Sequence, residues 1–559
     1  MSRFVDTLLA HCAPDSPIRS DRGITTGEPT RPRRLTWTQV HEKARLAAGT
    51  LMGRAAPGVH PGDVVAVLAG DPALIASAVQ GVWLAGGSVT MLHQPTPRAD
   101  LANWAADTVG VLGMIGAKLV LLGPPFDRLA ALLDQRGINY LMLADLDDPA
   151  GRPLTTPVPM GEDDTALLQL TSGSSAEPKA VRITHGNLYA NMTAMAQAGA
   201  LDPAGDVMVS WLPLFHDMGM VGFLTVPMAL GLELVKVTPV DFMSRPLLWA
   251  ELISRHHGTI TAAPNFGYAL LARRLATTDE HFDLSSLRFA LNGAEPIEPA
   301  AVRAFTSAGA RFGLPERCMV CAYGMAETTL GVSFASLGIG MQVDIVDADA
   351  LEARRVAVPA GSSDRPVRAF PRLGPPLPGL EVQVVAEDGR ALAEREVGQI
   401  RLRGDSVTRE YLTVEGAIPT QDPDGWLATG DEGYLADGDV VICGRRKDVI
   451  IMGGRNVYPT DIERAAGLVD GVRPGNVAAV RIDAGARRES FAVAVESNRA
   501  GDTEAERILR KEVTSRVVDA IGLRPGAVVV LPPATLPKTP SGKLRRAAVR
   551  NRIADYLQS

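Results

Sequence analysis

Short, uninterrupted apolar runs recur along this chain, separated by longer stretches of helical length, and that alternation limits the fold more than any other feature. The runs at 64–68, 119–122 and 167–170 are too short for buried helices and too continuously apolar for strands with one wet face, whereas 72–85 has the length of a helix. The pattern predicts an α/β protein whose strands are buried and largely parallel. At 559 residues the chain exceeds what one hydrophobic core organises, so more than one domain is expected.

The last part of the chain reads as a separate α+β unit. It has apolar strands at 477–480 and 491–495, a charged helix at 502–518 and a strand at 528–531, with a boundary near 444–448. A small appended domain meets a larger one through a modest interface, so rigid-body motion between the two is the default expectation. Segments 25–34 and 359–372, rich in Gly, Pro, Ser or Arg, read as surface connections, and no internal repeat is evident.

Charge and composition exclude several classes. Lys and Arg total 56 against 63 Asp and Glu, without the basic excess that a phosphate backbone demands, which argues against nucleic acid. The apolar run 218–232 includes Pro227 and three glycines and falls short of the ~20 residues needed to cross a bilayer, so it reads as core or pocket wall and no transmembrane segment is expected. The N-terminus has no secretory h-region, and a cytoplasmic protein is expected. Cys318 and Cys321 form a C-x-x-C without a second pair to complete a zinc set; the surrounding residues read as a buried strand. His256-His257, in a helix-to-strand turn without partners at metal-ligand spacing, reads as structural.

The most informative segment is Leu170-Thr-Ser-Gly-Ser-Ser-Ala-Glu-Pro-Lys179, which follows an apolar strand and precedes a helical run near 187–198. Small hydroxyl and glycine residues let backbone N–H groups close around phosphate oxygens, and a lysine adds a point charge. A Walker P-loop is the rival, but Pro178 and Ala180 stand where it needs Gly and Ser or Thr. No G-x-S-x-G or H-E-x-x-H occurs, and Gly338-Ile-Gly340 lacks the third glycine of a dinucleotide fingerprint. Further segments follow in order: Trp211-Leu-Pro-Leu-Phe-His-Asp-Met-Gly219, Asn292-Gly-Ala-Glu-Pro296, Tyr323-Gly-Met-Ala-Glu327, Thr429-Gly-Asp431, Gly444-Arg-Arg-Lys-Asp448 and Pro540-Ser-Gly-Lys543.

This set resembles the core motifs of the adenylate-forming superfamily of acyl- and aryl-CoA ligases, peptide-synthetase adenylation domains and luciferases, over nearly the whole chain. The resemblance implies a large N-terminal domain of stacked α/β subdomains, 1–444, and a small mobile α+β C-terminal domain, 445–559, hinged near Lys447. It implies ATP and Mg²⁺ as cofactors. Thr171, Ser172, Gly173, Ser174, Ser175 and Lys179 would handle the phosphates, and Glu327 would be the magnesium-associated carboxylate. Asn292, Gly293, Ala294, Glu295 and Tyr323, with Gly324 and Met325, would bind adenine, and Asp431 and Arg445 the ribose. His216 would line the cleft as a catalytic candidate beside Glu327, and Lys543 would bridge the substrate carboxylate and the α-phosphate. Attack of a carboxylate on a phosphoryl group brings anions together, so fixed cations are where rate acceleration should arise.

Within the superfamily the likeness is greatest to fatty acyl-AMP ligases. Trp211 to Gly219 resembles their W-L-P-x-x-H-D-M-G, Gly454 to Glu463 their G-R-N-x-Y-P-x-D-I-E, and Pro264 to Tyr268 their P-N-F-A-Y. Glu327 and Gly374 stand 47 positions apart, and residues 343–368 resemble the insertion that this family carries there, which hinders the rotation needed for thioester formation with CoA. The implied partners are a fatty acid and an acyl carrier protein. A fatty acyl-CoA ligase is the enzymatic alternative, and a catalytically silent ligand-binding protein of the same fold is the non-enzymatic one. An amino-acid-activating domain is disfavoured, because no carboxylate follows Asp217 until Glu233. Ala176 and Ala180 replace residues that are often Gly in the superfamily; a methyl group where the backbone needs positive φ costs about 1 kcal/mol.

Overall fold

The structure is a computed structural model that describes all residues except 12–20, 54–57, 96–100, 147, 149–150, 172–177, 362–365, 453–454, 483–489, 540–542 and 559. The alternation of apolar runs becomes two eight-stranded sheets with parallel centres, one with antiparallel strands at a single edge and the other at both. In one, Thr165–Thr171, Ser88–Met91, Val64–Leu68, Ala117–Leu122 and Tyr140–Met142 run parallel, with Lys179–Thr184, Glu410–Thr413 and Gly416–Pro419 added antiparallel at one side. In the other, six parallel strands, Met319–Gly324, Phe289–Asn292, Ile260–Ala263, Val207–Ser210, Glu233–Lys236 and Gly23–Thr26, are flanked by Gly331–Phe334 and Arg33–Thr36.

One set of buried side chains draws on both sheets, and Ala66, Leu68, Val120, Leu122, Leu168 and Leu170 on the opposite face of the first sheet pack into a second set, so those strands are apolar on both faces. Helix Pro72–Leu84 illustrates the local logic. Asp71 caps it by accepting from the Ala73 N–H, Pro72 starts it, and the buried residues go all the way round, so it is apolar all round rather than amphipathic.

After residue 449 most buried side chains form sets of their own, while Tyr458 packs with Phe370, Tyr434, Val441 and Cys443. Val477–Ile482, Ser490–Glu496 and Ala527–Leu531 make a three-stranded sheet. Helices Pro459–Gly467 and Thr503–Ile521 bury Ile462, Leu509, Val513 and Val517 with Phe491 and Val493, and helix Arg546–Gln558 packs Val549 and Ile553 with Ala492 and Val529.

Three expectations need correction. Residues 25–34 are not merely a surface connection, because Thr25 and Thr26 are buried in a strand whose register with Leu234 and Val235 no local pattern announces. Residues 359–372 include strand Val367–Pro371, paired antiparallel with Val343–Asp347; with helix Ala348–Arg354 these form a small folded flap. The helix after the phosphate-loop segment begins at His185, and a strand, Lys179–Thr184, lies between them, with Thr184 capping the helix. Cys318 and Cys321 are buried, Met319–Gly324 is a strand, and burial pushes both thiols up to about 12.

Burial also depresses His11, His93 and His185 to about 4. A histidine depressed in the folded state contributes stability above its unfolded value near 6.5 and loses it as the pH falls toward 4, each ring accounting for up to about 3 kcal/mol. Urea unfolding at stepped pH is expected to show a stability plateau above pH 7 and a steep loss between 6.5 and 4. Unchanged stability across that window would contradict the burial of these rings.

Candidate functional site

The antiparallel pair Thr165–Thr171 and Lys179–Thr184 sets Thr171 opposite Lys179. Ser172, Gly173, Ser174 and Ser175, with Ala176, lie outside the described residues. Thr171 keeps its hydroxyl buried and unpartnered among the described residues. Ala180 sits in the strand opposite Leu170 and is not among the positive-φ residues, so its methyl carries no backbone penalty. Lys179 Nζ lies 3.8 Å from Glu327 Oε1 and 3.6 Å from the centre of the Tyr411 ring. Burial lowers its pKa, against the pull of Glu327. The Tyr411 hydroxyl donates to Glu327 Oε1 at 2.6 Å, fixing the carboxylate.

A second group forms where Met319–Gly324 meets the four-stranded antiparallel sheet of Leu380–Val385, Gly398–Gly404, Leu427–Ala436 and Asp439–Arg445. Asp431 and Arg445 are direct register partners there, with Arg445 Nε 2.8 Å from Asp431 Oδ1. The Tyr323 hydroxyl donates to the other oxygen of Asp431 in a short hydrogen bond. Burial raises the Asp431 pKa while Arg445 and Tyr323 pull it down; burial first, then Asp431, pushes Tyr323 far up. Gly324 is required by packing, since a Cβ would fall 2.3 Å from the Leu330 carbonyl oxygen, and the adjoining Met325 N–H donates to that oxygen. Lys447 lies in the single turn Arg446–Asp448, its pKa lowered by burial and shaped by Asp448, Arg445 and Lys179.

Asn292 ends its parallel strand fully buried. Its Nδ2 donates to Asn265 Oδ1 at 3.3 Å, while its own Oδ1 has no partner among the described residues. Gly293 follows, and Ala294 takes a left-handed φ of 67°, turning the chain so that Glu295 Oε1 accepts from the Phe266 N–H at 2.7 Å. A buried acceptor without a donor beside a half-buried turn is the arrangement a planar heterocycle with an amino group satisfies.

His216 and Asp217 form a close pair, Nδ1 to Oδ1 at 2.6 Å, beside the buried helical segment Met218–Thr225. Burial works against the Asp217 charge, but His216 first and then Lys543 hold its pKa below the usual carboxylate range. Lys543 also acts on Glu295. The lysine therefore approaches both groups from the far end of the chain, its backbone locked by Thr539 N–H to Lys543 carbonyl at 2.7 Å and Lys543 N–H to Thr539 Oγ1 at 3.0 Å.

Sequence reasoning missed Tyr411, His93 and Asn265 as site residues. Tyr411 comes from strand Glu410–Thr413, distant in the chain, and carries no motif. His93 packs edge-on against Phe215 at 5.5 Å and lies near His216; its position just past parallel strand Ser88–Met91 was the available signal. Asn265 lay in a quoted segment without a role; its side-chain oxygen binds both Asn292 and the Glu298 N–H.

Comparison with known proteins places this geometry. A family model described as AMP-binding enzyme matches residues 13–412. A Mycobacterium tuberculosis protein named ligase Rv1013 is 56% identical over 552 residues, 98% of this chain and 99% of that protein. The long-chain-fatty-acid–AMP ligase FadD26 of Mycobacterium marinum is 32% identical, covering 92% of this chain and 90% of its own. A structure from studies of fatty acyl-adenylate ligases of E. coli and L. pneumophila superposes with a TM-score of 0.88 at 32% identity, over 100% of this chain and 99% of the other. A further one, the L. pneumophila enzyme in complex with acyl adenylate and pyrophosphate, has a TM-score of 0.70 at 25% identity, over 99% and 96%. The chain belongs to the AMP-binding, adenylate-forming enzymes, among relatives named fatty-acid–AMP ligases.

Proposed function

We propose that this protein uses ATP to convert a fatty acid into an acyl-adenylate, releasing pyrophosphate, and then passes the acyl group to an acyl carrier protein. The observation that carries the first half is the placement of Lys543, whose charge reaches Asp217 and Glu295 on the main body. In the reaction a carboxylate oxygen forms a bond to the α-phosphorus as the bond to the pyrophosphate oxygen breaks. Lys543 steadies the incoming carboxylate and the α-phosphate oxygens, and Lys179 with the loop from Thr171 holds the β- and γ-phosphates. Asn292, with Gly293, Ala294 and Glu295, and the Tyr323 face hold the adenine, flanked by Gly324 and Met325; Asp431 and Arg445 hold the ribose hydroxyls. His216, paired with Asp217, borders the carboxylate.

The residues fit Mg²⁺ in the mode in which one carboxylate holds it together with substrate phosphates and water. Glu327 is such a carboxylate, oriented by Tyr411, and among the described residues no cluster of three His, Cys, Asp or Glu side chains forms a cage. When bound, the ion neutralises charge on the phosphates.

The buried segment Met218, Met220, Val221, Phe223 and Leu224 supports an apolar acid, since it follows the His216-Asp217 pair with no charge. Use of ATP suits a cytoplasmic location; among the described residues no helix is long and apolar enough to cross a membrane. The separate buried sets after residue 449 support two bodies, 1–444 and 445–559, hinged near Lys447.

The flap within 343–371 supports a carrier protein rather than CoA as acceptor. Arg368 Nη2 lies 2.7 Å from Glu352 Oε1 and 2.9 Å from Asp461 Oδ2, and Arg455 Nη2 lies 2.6 Å from Glu352 Oε2. Glu352 and Arg368 are buried, so pulling these charges apart leaves each uncompensated and resists rotation of the small body.

Lys543→Ala is expected to reduce acid-dependent pyrophosphate release at least ~100-fold while ATP still binds; a wild-type rate would remove Lys543 from the mechanism. With acids of graded length, wild-type protein is expected to give acyl-AMP and no CoA thioester. Efficient thioester formation with free CoA would make the protein an acyl-CoA ligase instead.

A further inference from the structure

Arg464 forks onto Glu298 with both arms, Nε to Oε2 at 2.5 Å and Nη2 to Oε1 at 3.0 Å. The pair joins helix Pro459–Gly467 to the residue that precedes helix Pro299–Ala310 of the main body, and the Glu298 side chain does not cap its own helix. Nothing in the proposed chemistry uses either residue. Both are partly exposed, so this two-point contact serves no buried core.

What each partner is tied to gives the pair its meaning. On the main body, the Glu298 N–H donates to Asn265 Oδ1 at 3.1 Å, and the same oxygen accepts from Asn292 Nδ2. Glu298 is thus fixed to the buried asparagine at the end of its parallel strand. On the other side, Glu463, next to Arg464, accepts from Arg546 Nε at 2.8 Å and Nη2 at 2.6 Å, and Arg546 also reaches Asp448 at 3.2 Å. Arg546 stands three residues after Lys543, whose turn is closed by Thr539. A path therefore runs from Asn292 through Asn265 to Glu298, across the charge-assisted bonds to Arg464, along the helix to Glu463 and across its charge-assisted bonds to Arg546, which stands three residues from Lys543.

Arg464 is also linked to Asp461 at 3.7 Å and through it to Arg368, so helix Pro459–Gly467 is held by the flap on one side and by Glu298 on the other. The two grips differ in kind. The flap contact is buried, whereas the Glu298 contact is at the rim and can be made and broken without stranding a charge in the interior.

We infer that Glu298 and Arg464 form a closure latch that positions Lys543 over the site for the adenylate-forming step; this rests on the assignment of Lys543 to that step. Arg464 is a positioning residue: it touches no substrate and acts by limiting where the small body can sit. A bidentate Arg–carboxylate pair specifies orientation as well as distance, which a single point charge does not. Displacing a catalytic group by about 1 Å lowers rates by up to ~100-fold, so a rim contact can matter to turnover while contributing little to folding.

The test is ATP–pyrophosphate exchange with dodecanoic acid, on full-length protein. Arg464→Ala is expected to lower kcat about tenfold or more, to leave the KM for ATP within about twofold, and to leave the thermal midpoint unchanged. The reversed pair, Glu298→Arg with Arg464→Glu, is expected to recover exchange to within about threefold of wild type, although each single reversal is as impaired as Arg464→Ala. Full exchange by Arg464→Ala, or a reversed pair no better than its singles, would overturn the latch. If Lys543→Ala itself exchanges at the wild-type rate, the assignment of Lys543 fails; if Lys543→Ala is inactive while Arg464→Ala is unimpaired, only the latch fails.

Discussion

Placing like charges close together without letting water screen them is the constraint on which this architecture turns. A carboxylate and a triphosphate repel, and a site that joins them has to supply cations whose positions are set before the substrates arrive. Two cations of the site are held by specific partners. Lys179 sits over the Tyr411 ring with Glu327 beside it, and Arg445 is register-paired with Asp431. Lys543 is the exception in origin: it comes from the end of the chain, and its position depends on how the small body rests on the large one.

That dependence explains how polar contacts are distributed between the two parts. The flap of 343–371 contributes buried ion pairs with residues beyond 450, which are costly to break singly, while Glu298 and Arg464 contribute a rim contact that is cheap to break. For the proposed latch, the buried contacts would limit where the small body can sit and the rim contact would select within that range.

Burial also gives this protein a pattern of proton affinities. Histidines in apolar surroundings are depressed, thiols are raised and the Tyr323 phenol is raised further, all because the charged form of each would be stranded away from water. Asp217 goes the other way despite burial, because His216 and Lys543 stabilise its negative charge. Asp217 is thus a buried carboxylate held below the usual range by His216 and Lys543, as Asp206 is by Arg288.

The apolar runs at 64–68, 119–122 and 167–170 determined parallel strands buried on both faces, and the ordered motifs determined the family, because both are local: a strand period or a strand-end loop is written in consecutive residues. The strand at Gly23–Thr26 was illegible because its partner is Glu233–Lys236, some two hundred positions away, and only that pairing makes Thr25 and Thr26 interior. Tyr411, Asn265 and the Glu298–Arg464 pair were hidden for the same reason: even Asn265, which lies in a quoted motif, acquires its role, like the others, from a neighbour supplied by another part of the chain. Sequence alone thus fixed which chemistry this chain carries. Tertiary structure decided which side chains orient that chemistry, because hydrogen bonds and ion pairs act over a few ångströms of space and are indifferent to separation along the chain.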